Sequence, residues 1–193
     1  MKKRYGFLLA FLLLQCKEKK PEMTVATVQK AQQIHLKTTI LDTHDDINVK
    51  NFTDSLNYTQ DIDTQVNLPK MQAGGLDVAW FIVYTEQGDL TERGYNKAAE
   101  NAQAKFNAIH RLVEQYGKDK IALATNAQQV DSIRRLGKKV AMIGVENAYP
   151  LGEKLDDLSR YYKMGARYMS LAHNGHNQES SIILTSIIVS PFS

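Results

Sequence analysis

The sequence predicts an α/β fold in which short apolar strands alternate with amphipathic helices and pair in parallel. Two observations carry this expectation. Short apolar runs bounded by polar residues or glycine fall at residues 39–47, 76–84, 140–146 and 167–173, and helix-period patterns separate them, as a parallel sheet or barrel requires. The chain of 193 residues is 43% hydrophobic and 23% charged, enough for one domain with a sizeable core and unlike a disordered or fibrous chain.

Taken in order, the first element is an export signal. Lys2, Lys3 and Arg4 form a basic start, and residues 7–14 an apolar run too short to span a bilayer as a mature helix. Leu13-Leu14-Gln15-Cys16 resembles a bacterial lipobox, which would make Cys16 the lipidated first residue of an exported, membrane-anchored lipoprotein of a bacterial envelope. The alternative is a plain secretory signal with an incidental cysteine, and either way the chain is exported. Residues 1–15 therefore read as signal and residues 16–23 as a polar tether.

Three of the 24 basic residues and none of the 21 acidic ones fall in that signal, so the remainder is balanced in charge. Balance gives no electrostatic case for a nucleic-acid partner. Cys16 is the only cysteine, so a metal site has to be built from histidine and carboxylate.

The stretch from Thr24 to about His35 places Val25, Val28 and Gln32 at helical spacing and reads as a lead-in helix. The first strand follows, ending in His44-Asp45-Asp46. In an extended chain residues two apart share a face, so His44 and Asp46 can grip one cation while Asp45 faces away. A long helix is predicted from about Thr91 to Tyr116, with Ala98, Ala102, Phe106, Ile109 and Val113 on one face and Gly117 as its stop. Thr125 and Gln128 have capping-box spacing before a second helix that Gly137 ends, and a third runs through Leu155, Leu158 and Tyr162 towards Gly165. Gly74-Gly75 reads as a tight turn before a strand, and His35, His110 and His176 as solvated histidines without a ligand role.

In parallel folds the ligand sits at the carboxyl ends of the strands. His44 and Asp46 lie near the end of the first strand, Glu146 ends the third and His173 the fourth. Four polar side chains should therefore converge on one rim.

With these residues in view, the chain resembles the renal, or membrane, dipeptidase family of metallopeptidases among the amidohydrolase-type (β/α)8 barrels. The likeness rests on Leu41-Asp42-Thr43-His44-Asp45-Asp46-Ile47, on residues 67–75 (NLPKMQAGG), on Ile143-Gly144-Val145-Glu146, and on residues 165–174 (GARYMSLAHN). It covers residues 24–177 and implies a partial (β/α)8 TIM-type barrel of roughly the first four strands. It further implies zinc as cofactor and a dipeptide as substrate. His44 and Asp46 would bind a first zinc, Glu146 would bridge to a second, and His173 would polarise the substrate carbonyl for attack by a metal-held hydroxide.

The family supplies two further zinc-binding histidines, an arginine and an aspartate from a second half that this sequence does not contain. The segment 178–193 is rich in Ser and Ile and unlike the family's continuation, which suggests a truncated gene. The expectation is thus a zinc-dependent dipeptidase, with a non-catalytic remnant holding at most one weak metal site as the alternative. Association of two half barrels would bury their open edges without restoring the missing ligands.

Overall fold

The computed structural model describes residues 24–153, 155–175 and 186–188. The export signal, Cys16 and the tether lie outside them, as do His176 and most of the tail. Strands β1 (Leu41–Asp46), β2 (Val78–Tyr84), β3 (Ile121–Leu123), β4 (Lys139–Glu146) and β5 (Ala166–Ser170) pair in parallel, and β6 (Ser186–Ile188) pairs antiparallel with β5. The order is β1-β2-β4-β5-β6, with β3 also on β4. The α/β class and the curved parallel sheet of a partial barrel are as the sequence predicts.

The lead-in helix α1 (Val25–Lys37) starts at the Thr24 cap and buries none of its residues. Helix α2 (Leu68–Gly74), ahead of the turn that the sequence predicts at Gly74-Gly75, forms because Asn67 caps it and Pro69 sits in its first turn; Gly75 at φ 70° ends it. Helix α3 (Glu92–Arg111) packs Ala102, Phe106 and Ile109 onto Ala79, Phe81 and Val83, the outward face of β2. A π-helical turn over Leu112–Tyr116 completes the long helix predicted to Gly117. Helix α4 (Ala127–Arg135) is capped one residue later than the Thr125–Gln128 spacing implied. The Asn126 side chain accepts from Gln129 N, and Gln129 Oε1 accepts from Thr125 N at 2.7 Å. Helix α5 (Asp156–Lys163) lies on the same side as α3, with Tyr161 stacked on Phe106 at 5.2 Å.

Helix α4 goes to the other face for a topological reason. β2 occupies one flank of β4 over most of its length, so β3 and β5 share the second flank, β3 at residues 139–141 and β5 at residues 143–145. The step from β3 to β4 thus runs backwards along the sheet, and a right-handed crossover must carry its helix over the opposite surface. Val130 and Ile133 of α4 accordingly pack on Val78, Trp80, Val140 and Met142, the concave face. An interior left open by half a barrel is in this way covered at its lower end.

His110 is not a solvated bystander. Its Nδ1 lies 3.0 Å from Glu114 Oε1 and its Nε2 2.9 Å from Met164 O, pinning α3 to the turn before β5.

On the concave face Gly144 leaves room for the ring of Tyr168, which lies where a Cβ at 144 would be. Gly144→Ala should therefore lower stability by about 1–3 kcal/mol, the usual cost of overpacking. Urea denaturation of the purified chain measures this, and an unchanged midpoint would mean that the ring moves aside freely.

Candidate metal centre

The site begins with an irregularity in β1. Leu41 pairs with Val78 and Asp42 with Ala79, but Asp45 pairs with Phe81, so Thr43 and His44 together face the single residue Trp80. This bulge shifts the alternation by one residue. His44 and Asp46 then point to the concave side, while Asp45 turns to the core, 7% exposed. There Asp45 Oδ2 finds no hydrogen-bond partner among the described residues. Burial, then the nearby Asp42 charge, pushes its carboxyl up to about 7, with His44 opposing and Asp46 adding to the rise.

The parallel register carries the other side chains to the same height. Tyr84 pairs with Glu146, and Asp46 with Ile82 two residues below Tyr84. His44 Nε2 lies 3.4 Å from Glu146 Oε2 and 3.9 Å from Asp46 Oδ1. His44, Asp46 and Glu146 each offer a ligand atom within 4.8 Å of the others. On the far side His173 Nε2 is 3.6 Å from Glu146 Oε1, so one carboxylate has an imidazole at each oxygen. His173 reaches this place from a bend three residues beyond β5, not from the strand itself. Its ring meets the edge of Tyr84 at 5.0 Å.

One imidazole nitrogen and two carboxylates suit a divalent cation such as zinc. The surroundings carry the imprint of their negative charge. The hydroxyls of Tyr58 and Tyr168 are pushed up to about 12, first by burial and then by the carboxylates, Asp45 and Asp46 for Tyr58 and Glu146 and Asp46 for Tyr168. Lys105 of α3 sits half-buried with its Nζ 5.4 Å from the Tyr84 ring centre. Burial lowers its ammonium pKa, and Asp46 and Glu146 oppose that shift. Below the rim, Leu41, Trp80, Met142 and Tyr168 wall a cleft of about 840 Å³ that opens at His44, Glu146 and His173.

Two contributors escaped the sequence reading. Lys105 is one, because a lysine on a helix reads as solvated. Asn147 is the other. It is fully buried at φ 76°, a left-handed conformation that asparagine tolerates. Its Nδ2 donates to Thr85 O at 3.0 Å, its Oδ1 accepts from Tyr149 N at 3.1 Å, and its backbone N donates to Ser170 Oγ at 2.9 Å. The residue after Glu146 thereby ties the loops of β2 and β5 to that of β4. An asparagine directly after an apolar strand was the available signal.

Fold and site together define an α/β half barrel whose metal-competent side chains line the carboxyl rim. A sequence model of the membrane dipeptidase family, peptidase family M19, matches residues 28–185, and the chain belongs to that family. It is similar to dipeptidase tcpJ of Claviceps purpurea, 26% identical over 123 residues that are 62% of this chain and 29% of that protein. With dipeptidase verJ of Clonostachys rogersoniana it shares 30% identity over 73 residues, 38% and 19% of the two chains. Among solved structures, the probable dipeptidase PvdM of Pseudomonas aeruginosa superposes with a TM-score of 0.71 at 20% identity, over 77% of this chain and 38% of that one. A metallopeptidase of Rhodobacter sphaeroides, liganded with a phosphinate mimic of the dipeptide L-Ala-D-Ala, gives 0.57 at 18% identity, over 69% and 45%. The chain spans under a third of these curated relatives and under half of these solved chains.

Asn147→Ala removes the side-chain hydrogen bonds to Thr85, Gln87 and Tyr149 and puts a residue with a Cβ and no polar group in a left-handed conformation. It should cost about 2–4 kcal/mol, of which Asn147→Gly recovers about 1. Equilibrium unfolding of both variants checks this, and equal stability of the Asn147→Ala and wild-type chains would remove the tie between the three loops.

Proposed function

We infer that this chain carries the zinc-dependent dipeptide-hydrolysing chemistry of its family, with His44, Asp46 and Glu146 holding zinc. The observation behind this reading is the Glu146 carboxylate, one oxygen towards His44 and the other towards His173. Such a carboxylate would hold a cation beside His44 and Asp46 through one oxygen and keep the other for His173. Zinc supplies Lewis-acid polarisation of a carbonyl at such a site. His173, oriented by the Tyr84 edge, stands where it can donate a hydrogen bond to a substrate carbonyl. The apolar cleft wall at Trp80, Met142 and Tyr168 accepts the side chain of a small peptide and keeps water from it. Export with lipid attachment at Cys16 belongs to the same proposal, resting on the basic and apolar leader that precedes it.

A second reading has its own support. Among the described residues His44, Asp46 and Glu146 form the one cluster of metal-competent donors, sufficient for a single ion. The chain would then bind one metal without turnover.

Elemental analysis of the purified full chain, alongside hydrolysis of a dipeptide panel, separates the two. Bound zinc together with turnover is the expected result. His44→Ala and Glu146→Gln should each weaken zinc binding about tenfold or more and abolish hydrolysis. One zinc lost in the same variants, without turnover by the parent chain, selects the second reading. Zinc binding indifferent to both substitutions sinks the two together.

A further inference from the structure

We propose that the end of the sheet opposite the metal centre is a docking surface for an anionic bilayer. The turn from α4 into β4 reads Arg134-Arg135-Leu136-Gly137-Lys138-Lys139, and Leu136 at its tip is 74% exposed. Gly137 at φ 73° makes the reversal that holds the leucine out between two pairs of cations. Lys118 and Lys120 precede β3 at the same end, and Lys138 Nζ donates to Lys118 O at 2.8 Å, joining the two turns. The end of α1 comes alongside, because Arg134 Nη1 donates to Thr39 Oγ1 at 2.7 Å, and it adds Lys37 and a second leucine, Leu36, 84% exposed.

Asp77 and Asp131 line the groove beside Arg134, Arg135 and Lys138, and Asp119 lies between Lys118 and Lys120. Asp77 is committed within the fold, accepting from Arg134 at 3.1 Å and from Ile40 N at 3.0 Å, with Lys139 at 3.9 Å. Arg135, Lys138, Lys118, Lys120 and Lys37 remain in clear excess over what is left. Between the end of α4 and the start of β4 lies a groove of about 510 Å³ whose walls carry Arg134, Arg135, Lys138 and Lys139 against Asp77 and Asp131, wide enough for a headgroup phosphate.

Cations alone would suit any polyanion. Exposed leucines among them favour a bilayer, since a leucine gains by leaving water for the acyl boundary and gains little against a polynucleotide. The carboxylates of the metal centre do not oppose this. β4 is eight residues long, which sets the two ends roughly 25 Å apart, about three Debye lengths at physiological salt. A chain docked this way holds its metal centre away from the membrane. The inference is independent of whether the site hydrolyses dipeptides.

Partition of the full chain into zwitterionic vesicles and into vesicles with added phosphatidylglycerol tests it. The leader, with Lys2, Lys3 and Arg4, favours the anionic vesicles by itself but is the same in every variant. The readout is therefore the change in the ratio of the two partition coefficients from wild type to variant, and a ratio that no variant changes overturns the proposal. The ratio should be about tenfold or more at low salt and fall steeply as salt rises. Arg135→Glu with Lys138→Glu should lower it about tenfold, and Leu136→Ser about threefold through the anionic vesicles, with zinc binding and circular dichroism unchanged in both. A wild-type ratio near one overturns the proposal. So does a ratio lowered by the charge reversals and untouched by Leu136→Ser, which would describe a surface for polyanions in solution.

Discussion

Everything at the metal centre hangs on the parallel register between β2 and β4. Seven successive pairs, Val78–Val140 through Tyr84–Glu146, fix the height of Glu146 against Tyr84, and β1 and β5 are hung on either side of that pair. A slip of one residue would turn Glu146 into the packing beneath α3 and bring Val145 to the cleft. The outward residues Ala79, Phe81, Val83, Ala141, Ile143 and Val145 belong to one buried cluster with α3, which makes such a slip expensive. The core thus sets the geometry of the site, although it touches none of its polar atoms.

The bulge in β1 shows what the site costs. Without the extra residue, strict alternation from Leu41 would put Thr43 and Asp45 on the cleft and His44 and Asp46 in the core. With it, the donors face the cleft and Asp45 takes a buried place beside Tyr58 and Phe81. Burial pushes that carboxyl up to about 7, and the bulge carries it away from the cleft. Lys105 offsets part of the charge at the rim from behind Tyr84. A bound cation would offset the rest; the hydroxyls of Tyr58, Tyr84 and Tyr168 are raised first by burial and then by nearby carboxylates.

Much of this was legible in the sequence. β2 and β4 announce themselves because parallel strands buried on both faces read as continuous apolar runs, and β1 and β5 through shorter apolar stretches bounded by polar residues or glycine. The long helix was legible because its apolar residues recur at helical spacing before Gly117. β3 escaped because three residues, Ile121 to Leu123, carry no period. Helix α2 escaped because seven residues around a proline are too few to show a helical period, and its evidence was the Asn67 cap. The pairing of His44 with Asp46 followed from alternation alone, but their pointing towards Glu146 depends on a bulge that sequence does not display. Asn147 and Lys105 act through partners far away along the chain, Thr85 for one and Asp46 for the other, so local pattern carries no trace of them.

Net charge misled for a related reason. Acidic and basic residues balance after the leader, yet a parallel sheet sends every segment before a strand to one end and every segment after a strand to the other. Lys118 and Lys120 precede β3, Arg134, Arg135, Lys138 and Lys139 lead into β4, and Lys37 precedes β1. Asp46 closes β1, Glu86 and Asp89 follow β2, and Glu146 closes β4. Chain order is thereby converted into a charge separation along the strand axis, longer than the screening length of physiological salt. Summing over the whole sequence erases this, whereas summing over the segments before and after each strand recovers it. A nearly neutral chain can in this way present a cation-seeking end and an anion-seeking end, each able to act without cancelling the other.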